Sequence, residues 1–110
     1  RKNNWNVSIA ILDEGGRLLM MQRMDGAPPA SAHVCQAKGR SAAIFKRPTK
    51  AFSDAVSGGR VAIMALPGAV PVEGGLPLMS GGQCVGGIGV SGVNSDQDAQ
   101  IGAAGAALLN

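Results

Sequence analysis

Gly74–Asp98 reads GGLPLMSGGQCVGGIGVSGVNSDQD, and its order of strand, turn, strand and helix start decides the fold. Leu76 to Met79 and Gln83 to Val90 are short apolar runs, and Ser80-Gly81-Gly82 between them carries the glycines that a tight hairpin turn needs. Ser95 is the predicted N-cap of a terminal helix, with Asp96 and Asp98 in the first turn, where the helix dipole favours negative charge. Ile101, Ala104 and Leu108 mark that helix's apolar stripe.

Upstream of this stretch the pattern is similar. Val7, Ile9 and Ile11 alternate with Ser8, Ala10 and Leu12, which suits a strand with one strongly buried face, and Asp13-Glu14-Gly15-Gly16 supplies turn chemistry. Arg17 to Met24 is the returning strand, stopped at Asp25-Gly26-Ala27-Pro28-Pro29 because proline cannot continue a ladder. The spacing of Val34, Cys35, Lys38, Ala42 and Phe45 predicts a helix over Ser31 to Phe45 with Ser31 as N-cap. Pro48 ends it, Thr49 to Val56 forms a second short helix closed by Gly58-Gly59, and Val61 to Leu66 is a short helix or extended piece. Strand character is expected to resume by Val70.

The 110 residues fit one domain. Aromatic residues are only 3% of the chain with no Tyr, so the core must be built from Val, Ile, Leu, Met and Ala. At about 25 cal/mol per Å² buried, such a core is shallow, and homo-oligomerisation is the expected remedy. The five methionines, including Met20 and Met21, read mainly as core filler. The net charge of +3 is spread out. Arg1 and Lys2 lie at the start, and the one local cluster, Lys38, Arg40, Lys46, Arg47 and Lys50, lacks interleaved aromatics, so it reads as a solvated face and nucleic acid is not expected. Cys35 and Cys84 lack metal or redox spacing and are expected as free thiols in a reducing compartment, with a disulfide left open. No apolar run reaches the roughly 20 residues of a membrane span. Cytoplasmic location is the expectation, with any upstream signal left open because the sequence opens at Arg1 rather than Met.

No strong catalytic signature occurs. Gly87-Ile88-Gly89-Val90-Ser91-Gly92 satisfies GxGxxG, but a dinucleotide fold needs a further parallel strand and an acidic ribose contact roughly 20 residues on, so structural glycines are the preferred reading. Backbone N–H groups near Ser91 and Gly92, at the approach to a helix, could instead receive a carboxylate. Arg23, Asp25 and Lys38 form the most informative polar set: Arg23 can hold a carboxylate through two parallel bonds, and Asp25, Lys38 or His33 can move protons. The plainer alternative is an Arg23–Asp25 pair fixing the loop. His33 is the single histidine, so no multi-histidine metal site is expected; near a helix start it reads first as a surface or cap residue, with ligation of a cofactor iron together with Cys35 or a methionine such as Met24, or proton transfer, as the sharper alternatives.

Taken together, Val7-Ser8-Ile9-Ala10-Ile11-Leu12-Asp13-Glu14-Gly15-Gly16, Arg23-Met24-Asp25-Gly26, Ala37-Lys38, Gly74-Gly75-Leu76-Pro77, Val85 to Gly92 and Gln97-Asp98 resemble the GlcG/HbpS-like family of haem-degrading or haem-binding domains, related to the PduO C-terminal domain. The resemblance covers nearly the whole chain. It implies an α/β (α+β) fold, a profilin-like three-layer α/β/α arrangement with an antiparallel sheet of about five strands. It also implies a single domain over residues 1–110; relatives usually carry a long helix before the first strand, and with Val7 so near the start that helix is expected either to be missing from this sequence or to have its role filled otherwise. Three functions are compatible with it. The first is a homo-oligomeric small-ligand protein binding haem or a related tetrapyrrole. The second is a cofactor-independent lyase acting on a small acidic or aromatic metabolite, resembling hydroxylaminobenzoate lyases, with Arg23 and Lys38 binding carboxylate. The third is an accessory subunit without a ligand.

Overall fold

The computed structural model describes residues 6–107. β1 (Ser8–Asp13), β2 (Leu18–Arg23), β3 (Gly75–Ser80) and β4 (Gln83–Ser91) form one antiparallel sheet in the order β2-β1-β4-β3. The sheet has four strands among the described residues, where about five were expected. Among the described residues three α-helices accompany it: α1 (Ser31–Phe45), α2 (Thr49–Ser57) and α3 (Ser95–Ala106). Val61–Ala65 is a 3-10 helix. Val70 lies outside any strand, its N–H donated to the Ser41 hydroxyl, and extended structure resumes only at Gly75.

Alternation along β4 places helices on opposite faces. Gly87 and Gly89 meet α1, whereas Ile88 and Val90 lie beside Gly105 and Gly102 of α3. A side chain at Gly89 would occupy the position of the Cys35 carbonyl oxygen, and one at Gly39 would run into the Leu12 side chain, so glycine in both elements lets α1 lie nearly on the sheet backbone. The β3–β4 turn uses the other property of glycine: Gly81 and Gly82 hold φ of 58° and 80°, the pair of positive values a tight hairpin requires.

The strongly buried face of β1 is Ser8, Ala10 and Leu12, packed under α1. Ile9 and Ile11 are only partly buried, because α3 packs against β3 and β4 and, among the described residues, makes no contact with β1 or β2. Two buried apolar groups result, one around Val7, Leu78, Ile88 and Val90 towards α3, the other around Ala10, Leu12 and Cys35 towards α1. The methionines of β2 are not core. Met20 and Met21 are 53% and 37% exposed, since β2 is an edge strand whose six residues are all exposed.

Both predicted caps move by one residue. Ala30 occupies the N-cap of α1, and Ser31 is free to do something else: its hydroxyl donates to the Pro28 carbonyl and therefore accepts from Ser8 at 2.8 Å, a hydroxyl having one proton to give. Asn94 caps α3 in a capping box whose Gln97 carbonyl accepts the Asn94 N–H at 3.3 Å. In the α3 stripe, Ile101 joins the core but Ala104 is exposed and Gly102 is buried in its place, while Leu108 lies outside the described residues. No helix among the described residues is long and apolar enough to cross a membrane.

Candidate functional site

The strand register gathers most of the predicted site residues at one end of the sheet. Arg23 pairs with Ser8 across β2 and β1, and Ser8 pairs with Ser91 across β1 and β4, so the three form one row on the face beneath the start of α1. Met24, Asp25 and Gly26 follow directly on Arg23, and these four residues line an open depression of about 210 Å³.

Arg23 and Met24 are held by backbone groups. The Arg23 guanidinium donates through Nε and Nη2 to the Ala27 carbonyl at 3.1 and 3.0 Å, which orients the group and leaves further N–H donors for a ligand. Met24 is fixed at both ends: its N–H donates to the Val7 carbonyl and its sulfur accepts the Val7 N–H at 3.3 Å. Gly26 has a φ of 88°, and Asn6 occupies the place of its missing side chain. Asp25 is exposed and makes no ion pair among the described residues, so it does not fix the loop through Arg23.

Other expected members lie elsewhere. His33 is exposed in the first turn of α1, at the same end of the sheet but not in the wall of the depression. Ser91 is buried and Gly92 packs its Cα against the Asn6 carbonyl and Val7, so neither lines the depression. Among the described residues no three His, Cys, Asp or Glu side chains converge as metal ligands.

Lys38 requires the clearest correction. It is neither part of a solvated basic face nor beside Arg23: at 1% exposure it is buried, its Nζ 3.0 Å from both the Val90 carbonyl and Asp98 Oδ2. The side chain leaves α1, passes Gly74 at the mouth of β3 and reaches α3, where Asp98 also accepts the Val93 N–H at 3.2 Å. The pair thus ties the two helical layers together around the sheet edge. Burial pushes the Asp98 carboxyl above its ordinary value, and the Lys38 ammonium offsets part of that push. Asp98 was legible only as a helix-dipole residue. Its partner stands 60 positions away, and no local spacing announces such a pair.

An antiparallel sheet between a long helix and a short terminal one, with an open polar depression at one end, defines a small α+β domain with helices on both faces. The chain belongs to the HbpS-like family: the family described as "Haem degrading protein HbpS-like" matches residues 1–107. Protein GlcG of Escherichia coli K12 is 46% identical over 91 residues, 83% of this chain and 68% of its own length. Among solved structures, a double mutant of Streptomyces reticuli HbpS superposes with a TM-score of 0.89 at 34% identity, over 99% of this chain and 75% of that one. The PduOC:Heme complex superposes with a TM-score of 0.87 at 27% identity, over 99% of this chain and 82% of that one.

Proposed function

We propose that this protein is a homo-oligomeric small-ligand-binding protein of the GlcG/HbpS type whose ligand is haem or a related tetrapyrrole, held at the Arg23–Gly26 depression. The observation that carries the reading is the open depression that the successive residues Arg23, Met24, Asp25 and Gly26 line, in a fold shared with a protein solved as a haem complex. The donor chemistry fits such a ligand. Arg23 retains unused N–H donors for a propionate carboxylate, and His33, exposed in the first turn of α1, offers an imidazole nitrogen for iron. Met24 serves as wall rather than ligand, since its sulfur already accepts the Val7 N–H.

Size fits less well within one chain. A depression of about 210 Å³ falls below the roughly 300–1,000 Å³ that encloses a drug-sized ligand, so the macrocycle needs a second wall. Homo-oligomerisation supplies one. The lyase reading loses a member of its carboxylate clamp, because Lys38 is committed to Asp98, and nothing in the geometry favours it over ligand binding.

Haemin titration followed by absorption spectroscopy tests the proposal. A saturable Soret shift, weakened in Arg23→Ala and altered in shape in His33→Ala, is the expected result. An unsaturable or absent shift would sink the haem reading for this chain.

A further inference from the structure

We infer that Ser31 is a positioning residue for Arg23: by clamping the Pro28 carbonyl it fixes the loop whose Ala27 carbonyl turns the guanidinium, so that the Nη1–Nη2 edge of Arg23 is presented to a planar carboxylate on the ligand. Only the last clause rests on the ligand-site reading. Ser8 and Ser31 are hydroxyls buried between β1 and the start of α1, 0% and 2% exposed. A buried hydroxyl keeps its hydrogen bonds, and these two pass theirs in one direction. Ser8 donates to Ser31 at 2.8 Å, and Ser31 donates to the Pro28 carbonyl, the neighbour in sequence of Ala27. The Ser31 N–H reaches the same carbonyl at 2.9 Å, so Pro28 is held twice. The loop has few other means of support there, since Pro28 and Pro29 have no N–H to give and Asp25 makes no ion pair among the described residues. Ala27 thus sits between two anchors: its own N–H, donated to the Met24 carbonyl at 3.0 Å, and the Ser31 clamp on the other side.

These bonds close a circuit that begins and ends at Arg23. Arg23 and Ser8 are register partners across β2 and β1, so the relay starts beside the base of the arginine side chain and finishes at its tip, where the Ala27 carbonyl accepts Nε and Nη2 at 3.1 and 3.0 Å. Two bonds to one oxygen use the side edge of the guanidinium. Both Nη1 protons and the second Nη2 proton remain, and they form the end-on fork whose spacing matches the two oxygens of a carboxylate. A ligand carboxylate is therefore held through both oxygens, and the same ligand with that group esterified loses the contact.

Two measurements on the full chain test the inference. The first needs no ligand: the Nε–H signal of Arg23 in a nitrogen–proton correlation spectrum, assigned by its loss in Arg23→Ala. It is expected to exchange slowly with water in the wild type and to move to the fast-exchanging position of a free arginine in Ser31→Ala, with the Arg17 and Arg40 signals unmoved. Ser31→Ala orphans the Ser8 hydroxyl, so where that variant does not fold, Ser8→Ala/Ser31→Ala, which leaves no orphan, replaces it. The second is titration with haemin and with haemin dimethyl ester, read by absorption. Removing the Ser31 hydroxyl should weaken haemin binding several-fold, leave the ester unaffected, and add nothing in an Arg23→Ala background. An Arg23 signal that stays in place, or a loss of haemin affinity as large in Arg23→Ala as in the wild type, would overturn the positioning role, and an ester bound as tightly as haemin would overturn the carboxylate clause. A signal that moves as expected in a protein with no saturable Soret shift upholds the positioning role and removes only the ligand reading.

Discussion

At the scale of single residues, burial decides what each group can do. Burial pushes the Cys35 thiol up to about 11, whereas Cys84 is only half-buried, with its sulfur near the Gly86 carbonyl at 3.3 Å. The thiolate is the reactive form and Cys35 is also shut away from solvent, so at pH 8 Cys35 is expected to stay unmodified by a thiol-specific reagent until the protein unfolds while the more accessible Cys84 is labelled, which mass spectrometry of the labelled protein checks. The Lys38–Asp98 pair has a different consequence. Removing one partner leaves the other charge buried and uncompensated, so Asp98→Asn is expected to cost about 3–5 kcal/mol in urea unfolding, and Lys38→Met/Asp98→Asn to recover most of it. The pH dependence follows from the sign of the shift. Asp98 titrates higher in the folded chain than the ordinary 3.8, so the folded state holds its proton more tightly, and this group's contribution to stability falls as pH rises from about 3.8 through the raised value, then levels off. The double variant should lack that decline.

At the scale of elements, the packing of α1 on β4 sets how much side chain the interface tolerates. Gly89→Ala drives a methyl group into the Cys35 carbonyl and is expected to unfold the protein or cost several kcal/mol, beyond the ordinary about 1–3 kcal/mol of overpacking, because backbone cannot move aside as a side chain can. Gly81→Ala is the control: nothing lies near its added Cβ, so only the positive φ of 58° opposes it, about 1–2 kcal/mol by equilibrium unfolding. Where elements begin and end was legible wherever punctuation was strong. Pro28-Pro29 and Pro48 bracket α1, and its predicted bounds, Ser31 to Phe45, are those of the structure. Adjacent candidates blurred the α3 cap, since Asn94 and Ser95 are both good N-cap types and the reciprocal bonds between Asn94 and Gln97 select the first. Val70 misled because its apolar neighbours suit a strand, yet its N–H goes to Ser41 on α1 rather than to a ladder. The alternation in β1 showed that one face is buried but not which: the small face is the deeper one, because the backbone of α1 lies close on it while α3, among the described residues, makes no contact with β1.

At the scale of the whole molecule, the described chain leaves two things unfinished, an apolar edge at β2 and a depression too small to enclose a macrocycle, and they are contiguous through Arg23. That Arg23 and Asp25 stand together was legible because they are near neighbours at a strand end. The placement of Lys38 with them failed because sequence proximity to a basic cluster says nothing about which way a long side chain turns, and here it turns inward to Asp98. Haemin titration of the purified assembly, read by absorption in wild type and Arg23→Ala, tests the ligand site most directly. A saturable, stoichiometric Soret shift in the wild type, with affinity reduced in Arg23→Ala while sedimentation and circular dichroism stay unchanged, is the predicted result. A flat or unsaturable response in the wild type, or an affinity that Arg23→Ala leaves untouched, would contradict a haem site at this end of the sheet.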